Sequence, residues 1–252
     1  MDTIVRQRFL QRLGFIKPPP SRTQRPAGPP TTLVTRNVTR CADVRAKFLR
    51  KLSYSDVWVP TALRLPTSQT VIIFDWDDTL LCTSFLIDNG SRVPPSHKDS
   101  FSNMVQAACK LLELGHKLGQ TFIITNARAG WVEEAARKWA PEFLPVLEQT
   151  YTISARNVSL ELHEWKAQAF LELQRQFHSQ VMTNIVSIGD SEFEIDAAHV
   201  MGKKFAQAKV KTILFRPEPT PVELCRELEL VLEDFERVVH AAKDQALTFR
   251  GG

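Results

Sequence analysis

From residue 71 onward, short β-rich runs alternate with longer helical patterns, and few architectures accept that order. VIIF (71–74), TFII (121–124), YTIS (151–154), NIVSI (184–188) and KTILF (211–215) are the runs. Between them lie FSNMVQAACKLLELG, WVEEAARKWA, EWKAQAFLELQRQF and EFEIDAAHVM. The first of these places Phe101, Met104, Val105, Ala108, Leu111 and Leu112 at helical spacing, with Gly115 expected as its stop. The last helix is the best signalled. Thr220 can cap it, Pro221 suits its first position and Glu223 closes a capping box. Val222, Cys225, Leu228, Leu232, Phe235 and Val239 are expected to form its apolar face. Strands alternating with helices predict a parallel sheet of about five strands, covered by helices on both faces.

The remainder of the chain divides by charge. The formal net charge of +4 belongs to the N-terminus. Residues 1–42 hold eight Lys and Arg against the single acid Asp2, whereas the rest holds 24 basic and 27 acidic residues. A nucleic-acid-binding surface on the domain is therefore not signalled. Within 1–42, Ile4, Val5, Phe9, Leu13 and Ile16 interleave with Arg6, Arg8 and Arg12, ahead of the proline-rich KPPPSRTQRPAGPP. Three readings stay open for this segment: a disordered tail, an organellar targeting peptide, or a helix that docks on a membrane surface or partner. Residues 43–66 are expected to hold a short amphipathic helix, DVRAKFLRKL, and a linker packing on the domain of 67–252. No apolar run approaches the roughly 18 residues needed to span a bilayer. Cys41, Cys82, Cys109 and Cys225 form no C-x-x-C pair, so a disulfide framework is not suggested and a reducing, cytoplasmic setting is expected, or an organelle if the tail is a targeting peptide.

The residues with chemical potential lie where the strands end. VIIFDWDDTLL runs from an apolar strand straight into Asp75, Asp77 and Asp78. Thr125 and Asn126 follow the second strand. Gly189 and Asp190 follow the fourth, with Ser191, Glu194 and Asp196 beyond. In parallel sheets the carboxyl ends of the strands form the binding edge, so these acids converge. Crowded carboxylates need a neutralising partner, either a hard divalent cation or a lysine. No histidine or cysteine lies among them, which favours magnesium over zinc.

DWDDT reads as D-x-D-x-T, followed in order by ITNA, by Lys166 in EWKAQAF, and by SIGDSEFEIDAA. Together these resemble the four ordered motifs of the haloacid-dehalogenase-like (HAD) phosphohydrolase superfamily, over roughly residues 67–240. The resemblance implies a Rossmann-like α/β fold and a magnesium-dependent phosphatase. It implies Asp75 as the nucleophile that forms an aspartyl-phosphate, and Asp77 as the general acid/base. Thr125 and Asn126, with backbone amides, would hold the phosphate. Lys166 would offset charge on the nucleophile and the phosphoryl group. Magnesium would bind Asp75, Asp190 and the backbone carbonyl of Asp77, with Glu194 as a direct or water-mediated ligand.

Each position also has a plainer reading. Thr125–Asn126 can be an ordinary helix cap, Lys166 a solvated surface lysine and Glu194 an acid answering the helix dipole. Asp78 and Asp196 are expected to be structural or solvated, and Cys82 a small core residue. Forty-nine residues separate Asp75 from Thr125, and 40 separate Thr125 from Lys166. Neither gap has room for a substantial cap domain. At most SFLIDNGSRVPPSHKDS (84–100) forms a flap, its prolines breaking any helix. By analogy within the superfamily, an open site suits a bulky phosphorylated substrate such as a protein. A small-metabolite phosphatase and a catalytically idle binding module are the alternatives.

Overall fold

The structure, a computed structural model, describes residues 31–35, 67–157, 159–176, 182–205 and 207–251. The N-terminal helical pattern, the proline-rich segment and the expected helix of 43–52 lie outside the described residues. In chain order the strands are β1 (Thr31–Thr35), β2 (Thr70–Phe74), β3 (Gln120–Thr125), β4 (Tyr151–Ser154), β5 (Asn184–Gly189), β6 (Lys209–Leu214) and β7 (Gln245–Gly251). The helices are α1 (Thr83–Asp88), α2 (Lys98–Leu118), α3 (Trp131–Trp139), α4 (Leu144–Leu147), α5 (Leu162–Gln176), α6 (Glu192–Gly202) and α7 (Pro221–His240). Together they make a Rossmann-like α/β fold. No described helix is long and apolar enough to cross a membrane.

The sheet runs β1-β7-β6-β5-β2-β3-β4. Every pairing is parallel except β1 with β7, which is antiparallel. The five strands read from the sequence form its body, and two more extend one edge. Thr31–Thr35, expected within a disordered tail, is one of them. It pairs with β7 from Thr31↔Gly251 to Thr35↔Leu247, a partner more than 200 positions away and so invisible to local pattern.

β2 sits in the middle, buried along its whole length. Its side chains alternate between faces. Ile72 and Phe74 join the larger core under α2 and α7, whereas Val71 and Ile73 join the core beneath α5 and α6. A strand covered on both faces has to be apolar at every position, which is why the sequence there does not alternate.

α7 opens as read: Thr220 Oγ1 accepts from Glu223 N and Glu223 returns a bond to Thr220 N. Its inward face differs from the expected one in the first turn, and Leu232 is only half-buried against the core. Leu224, Cys225, Leu228, Val231, Phe235 and Val239 are buried, while Val222 in the first turn is 51% exposed. Gly115 does not stop α2, which continues to Leu118. A Cβ at Gly115 would stand 3.0 Å from Thr121 Oγ1 and 3.3 Å from the Phe74 ring, so this glycine lets helix and sheet approach closely. Gly119 ends the helix where a Cβ would meet Thr70 at 2.7 Å.

The gaps flanking Thr125 hold α1 and α2 on one side, and α3, α4 and β4 on the other, with no inserted domain. Residues 84–100 are more ordered than the sequence implied. α1 forms ahead of the prolines, and Pro95–His97 makes a short 3-10 turn into α2. Beside this loop lies a groove of about 690 Å³ lined by Asn89, Arg92, Val93, Pro94, Pro95 and Lys98.

Candidate functional site

The sheet order reverses at β2, with β3 on one side and β5 on the other. Such a switch point opens a crevice beyond the strand ends. Asp75 stands at this point: its N–H donates to Ile188 O at 2.8 Å, extending the pairing of β2 with β5 by one residue. Trp76 turns into the core against Phe143, with ring centroids 5.0 Å apart. Alternation then sends Asp75 and Asp77 the other way.

The three clustered aspartates meet three different environments. Asp78 is fully buried with φ +57° and accepts from Ser84 N at 2.9 Å and Ser84 Oγ at 2.5 Å. It fastens the turn after β2 to α1, a structural role as the sequence suggested. Asp75 and Asp77 face the crevice. Cys82 is a buried core residue and Asp196 is exposed.

Lys166 arrives from the first turns of α5 and is 1% exposed, so it is not a solvated surface lysine. Its ammonium donates to Asp75 Oδ1 at 2.6 Å and to Ile124 O, and lies 3.2 Å from Glu194 Oε1. Glu194 itself serves two partners. Its Oε2 accepts from Ser191 N at 3.1 Å and from Ser191 Oγ, while Ser191 Oγ accepts from Phe193 N. This is the capping box that opens α6. One oxygen thus holds the helix start and the other faces the lysine. The glutamate stem crosses Gly189, where a Cβ would lie 2.5 Å from Glu194 Cγ.

Asp190, half-buried, completes the cluster. Carboxylate oxygens of Asp75, Asp190 and Glu194 lie within 4.8 Å of one another. Lys166 is within ion-pair distance of two of these three carboxylates, Asp75 and Glu194. Burial raises the Asp75 carboxyl above its usual range, against the opposing pull of Lys166, with Glu194 and Asp77 adding to the rise. Burial alone would lower the Lys166 ammonium, but Asp75 and Glu194 together overcome that and raise it. The Asp75 carboxylate is thus costly to keep charged where it is buried, and Lys166 offsets part of that cost.

The donors are all oxygens, which suits a hard cation, and magnesium at about 2.1 Å would place its ligand oxygens roughly 3–4 Å apart. The acidic group could hold a metal ion.

A second set of contacts surrounds Asp77, whose carboxylate is not among these three. Thr125 Oγ1 donates to Asp77 Oδ2 at 3.2 Å and accepts from Ala127 N at 3.0 Å. Trp131 Nε1 donates to Asp77 Oδ1 at 3.0 Å. Thr125 and Asn126 do not cap a helix, because α3 begins only at Trp131, after Gly130 with φ +79°. Asn126 is 8% exposed, and its Oδ1 is buried with no hydrogen-bond donor.

Every site residue expected from the sequence thus lies at this crevice. Asp75, Lys166, Asp190 and Glu194 form one cluster, Asp77 and Thr125 a bonded pair, and Asn126 adjoins them. Ser191 and Trp131 were not anticipated as partners. S-E-F-E at 191–194 carried the same capping signal that marked Thr220, whereas the contact of Trp131 with Asp77 spans 54 positions and has no local signature.

No protein-family model matches the chain, and no curated protein does. Among solved structures, the chain is similar to the Legionella pneumophila effector Ceg4, crystallised with an N-terminal yeast Hog1p sequence. That likeness has 13% identity and a TM-score of 0.39, over 67% of this chain and 97% of the other.

Proposed function

We propose that the chain is a magnesium-dependent phosphatase of the HAD type, acting on phosphomonoesters through an aspartyl-phosphate on Asp75. The observation that carries this reading is the buried contact of Lys166 with Asp75 inside a cluster that also holds Asp190 and Glu194. These acids and the buried lysine gather at the sheet edge where ligands bind, and their oxygen donors lie close enough together to share a cation.

In this reading a carboxylate oxygen of Asp75 attacks phosphorus as the bond to the leaving oxygen breaks. Asp77 protonates that oxygen. Water then attacks the phosphorus of the aspartyl-phosphate and gives a proton to Asp77, releasing inorganic phosphate and restoring the Asp75 carboxylate. Lys166 holds Asp75 in place and offsets the charge gathered around it. Thr125 and Asn126 border the phosphate position. Asp75, Asp190, the Asp77 carbonyl and, indirectly, Glu194 would hold magnesium, whose bound charge would stabilise the phosphoryl oxygens. Among the described residues no inserted domain lies between the site-bearing strands, which favours a bulky substrate such as a phosphoprotein.

The test is hydrolysis of p-nitrophenyl phosphate by the wild type and Asp75→Asn, with magnesium and with a chelator. The wild type should turn over only with magnesium. Asp75→Asn should lose on the order of a thousandfold or more while keeping its circular-dichroism spectrum. Turnover unchanged by that substitution sinks the assignment. High activity on one metabolite in a substrate panel, with none on phosphopeptides, replaces the bulky substrate by a small one.

A further inference from the structure

Asp77 is held at both oxygens, and the two donors are chemically unequal. The indole N–H of Trp131, on Oδ1 at 3.0 Å, can donate and never accept. The Thr125 hydroxyl, on Oδ2 at 3.2 Å, can do either. The indole bond favours Oδ1 as the oxygen without the proton, because a protonated oxygen accepts more weakly. Oδ2 has no such restriction, because Thr125 can rotate its hydroxyl hydrogen away.

We propose that Trp131 is a positioning residue for Asp77, fixing the carboxylate so that Oδ2, on the Thr125 side, is the oxygen that exchanges a proton with the leaving group. The proposal rests on the phosphatase reading above and adds to it which oxygen acts and what holds it there. It parallels the way a carboxylate fixes the tautomer of a histidine by occupying one nitrogen.

The mount for this donor is firm. Trp131 opens α3 and packs edge-on against Trp139, with centroids 5.9 Å apart and an interplanar angle of 76°. Trp139 in turn donates its Nε1 hydrogen to Ser91 O at 2.9 Å, in the loop after α1. Both rings are only half-buried. A tryptophan needed only to fill the core would lie deeper and would not direct its one polar group at a carboxylate.

Trp131→Phe keeps a ring against Trp139 and removes the N–H. The measurement is kcat/KM with magnesium for two substrates, p-nitrophenyl phosphate and phenyl phosphate. An activated leaving group needs little protonation and a poor one needs it fully. The variant should stay within about threefold of the wild type on the first and lose roughly tenfold or more on the second. Equal losses on both overturn the proposal, since a structural defect does not discriminate between leaving groups.

A second readout does not depend on turnover or on that variant folding. In protein labelled with ¹⁵N-tryptophan, one indole N–H resonance should shift in Asp77→Ala. No shifted indole resonance overturns the proposal. A shifted resonance in a protein without magnesium-dependent, Asp75-dependent turnover leaves the hydrogen bond standing but fails the phosphatase reading, and the positioning role with it.

Discussion

Two lysines are buried at opposite ends of the sheet, and their contrast separates what burial does from what charge does. Lys166, 1% exposed at the carboxyl ends of the strands, lies between two carboxylates. Lys211, 0% exposed near the amino ends, donates to Asn184 Oδ1 and, at 3.5 Å, to Val239 O in the last turn of α7. Asn184 in turn donates to Val239 O at 2.9 Å and to Thr70 Oγ1 at 3.2 Å. Burial opposes the charge on both ammonium groups. For Lys166 the acids win and its proton is held more tightly. For Lys211 burial wins over the partial help of Asp244, and the amine is pushed down to about 7. One end of the sheet is a staple made of neutral dipoles. The other is an electrostatic cluster in which the acids hold the proton on the lysine against burial.

That contrast breaks most clearly at Lys166. Replacing it with Met leaves Asp75 and Glu194 buried without their cation, and should lower stability by about 3–5 kcal/mol in a chelator. Magnesium should recover part of that loss in urea titrations, because it supplies positive charge to the same acids. A loss that magnesium leaves unchanged would mean that the cluster does not take the ion.

Lys211 sharpens the comparison through pH. Its folded-state value of about 7 lies below the ordinary 10.5, so between those values the unfolded chain binds more protons. Stability should therefore rise with pH across this window, and the penalty should be fully present below pH 7. Lys211→Met should remove that rise. Urea titrations at the two ends of the window, for both proteins, make the check, and equal slopes would mean that Lys211 keeps an ordinary proton affinity.

The smallest effects distinguish the two capping boxes. Ser191→Ala and Thr220→Ala should each cost about 1 kcal/mol in thermal unfolding. Only the first should also slow turnover, by a few fold, because Glu194 shares its carboxylate between Ser191 and Lys166. Equal turnover in the two variants would show that the cap and the cluster are independent.

The sequence made one end of the sheet legible and left the other obscure. Apolar runs and the acids that follow them are contiguous, so β2 and the placement of Asp75 could be read from eleven residues. Lys166 could be singled out only through its motif, since EWKAQ looks no different from an exposed helix turn. Nothing marked Lys211 at all: KVKT presents two lysines in one strand, and only the packing of α7 decides which is buried. Gly115 was misread for a related reason. A glycine that ends a helix and one that admits a neighbouring ring look alike until Phe74 and Thr121 are placed against it. β1 and β7 were missed because each is identified by pairing with strands distant in sequence, β1 with β7 and β7 with β6.

The stem of Glu194 passes so close to Gly189 that even a methyl group there would stand 2.5 Å from its Cγ. The two positions are thus coupled: a side chain at residue 189 would have to displace the Glu194 stem, and displacing that stem would draw its carboxylate away from Lys166 and Ser191.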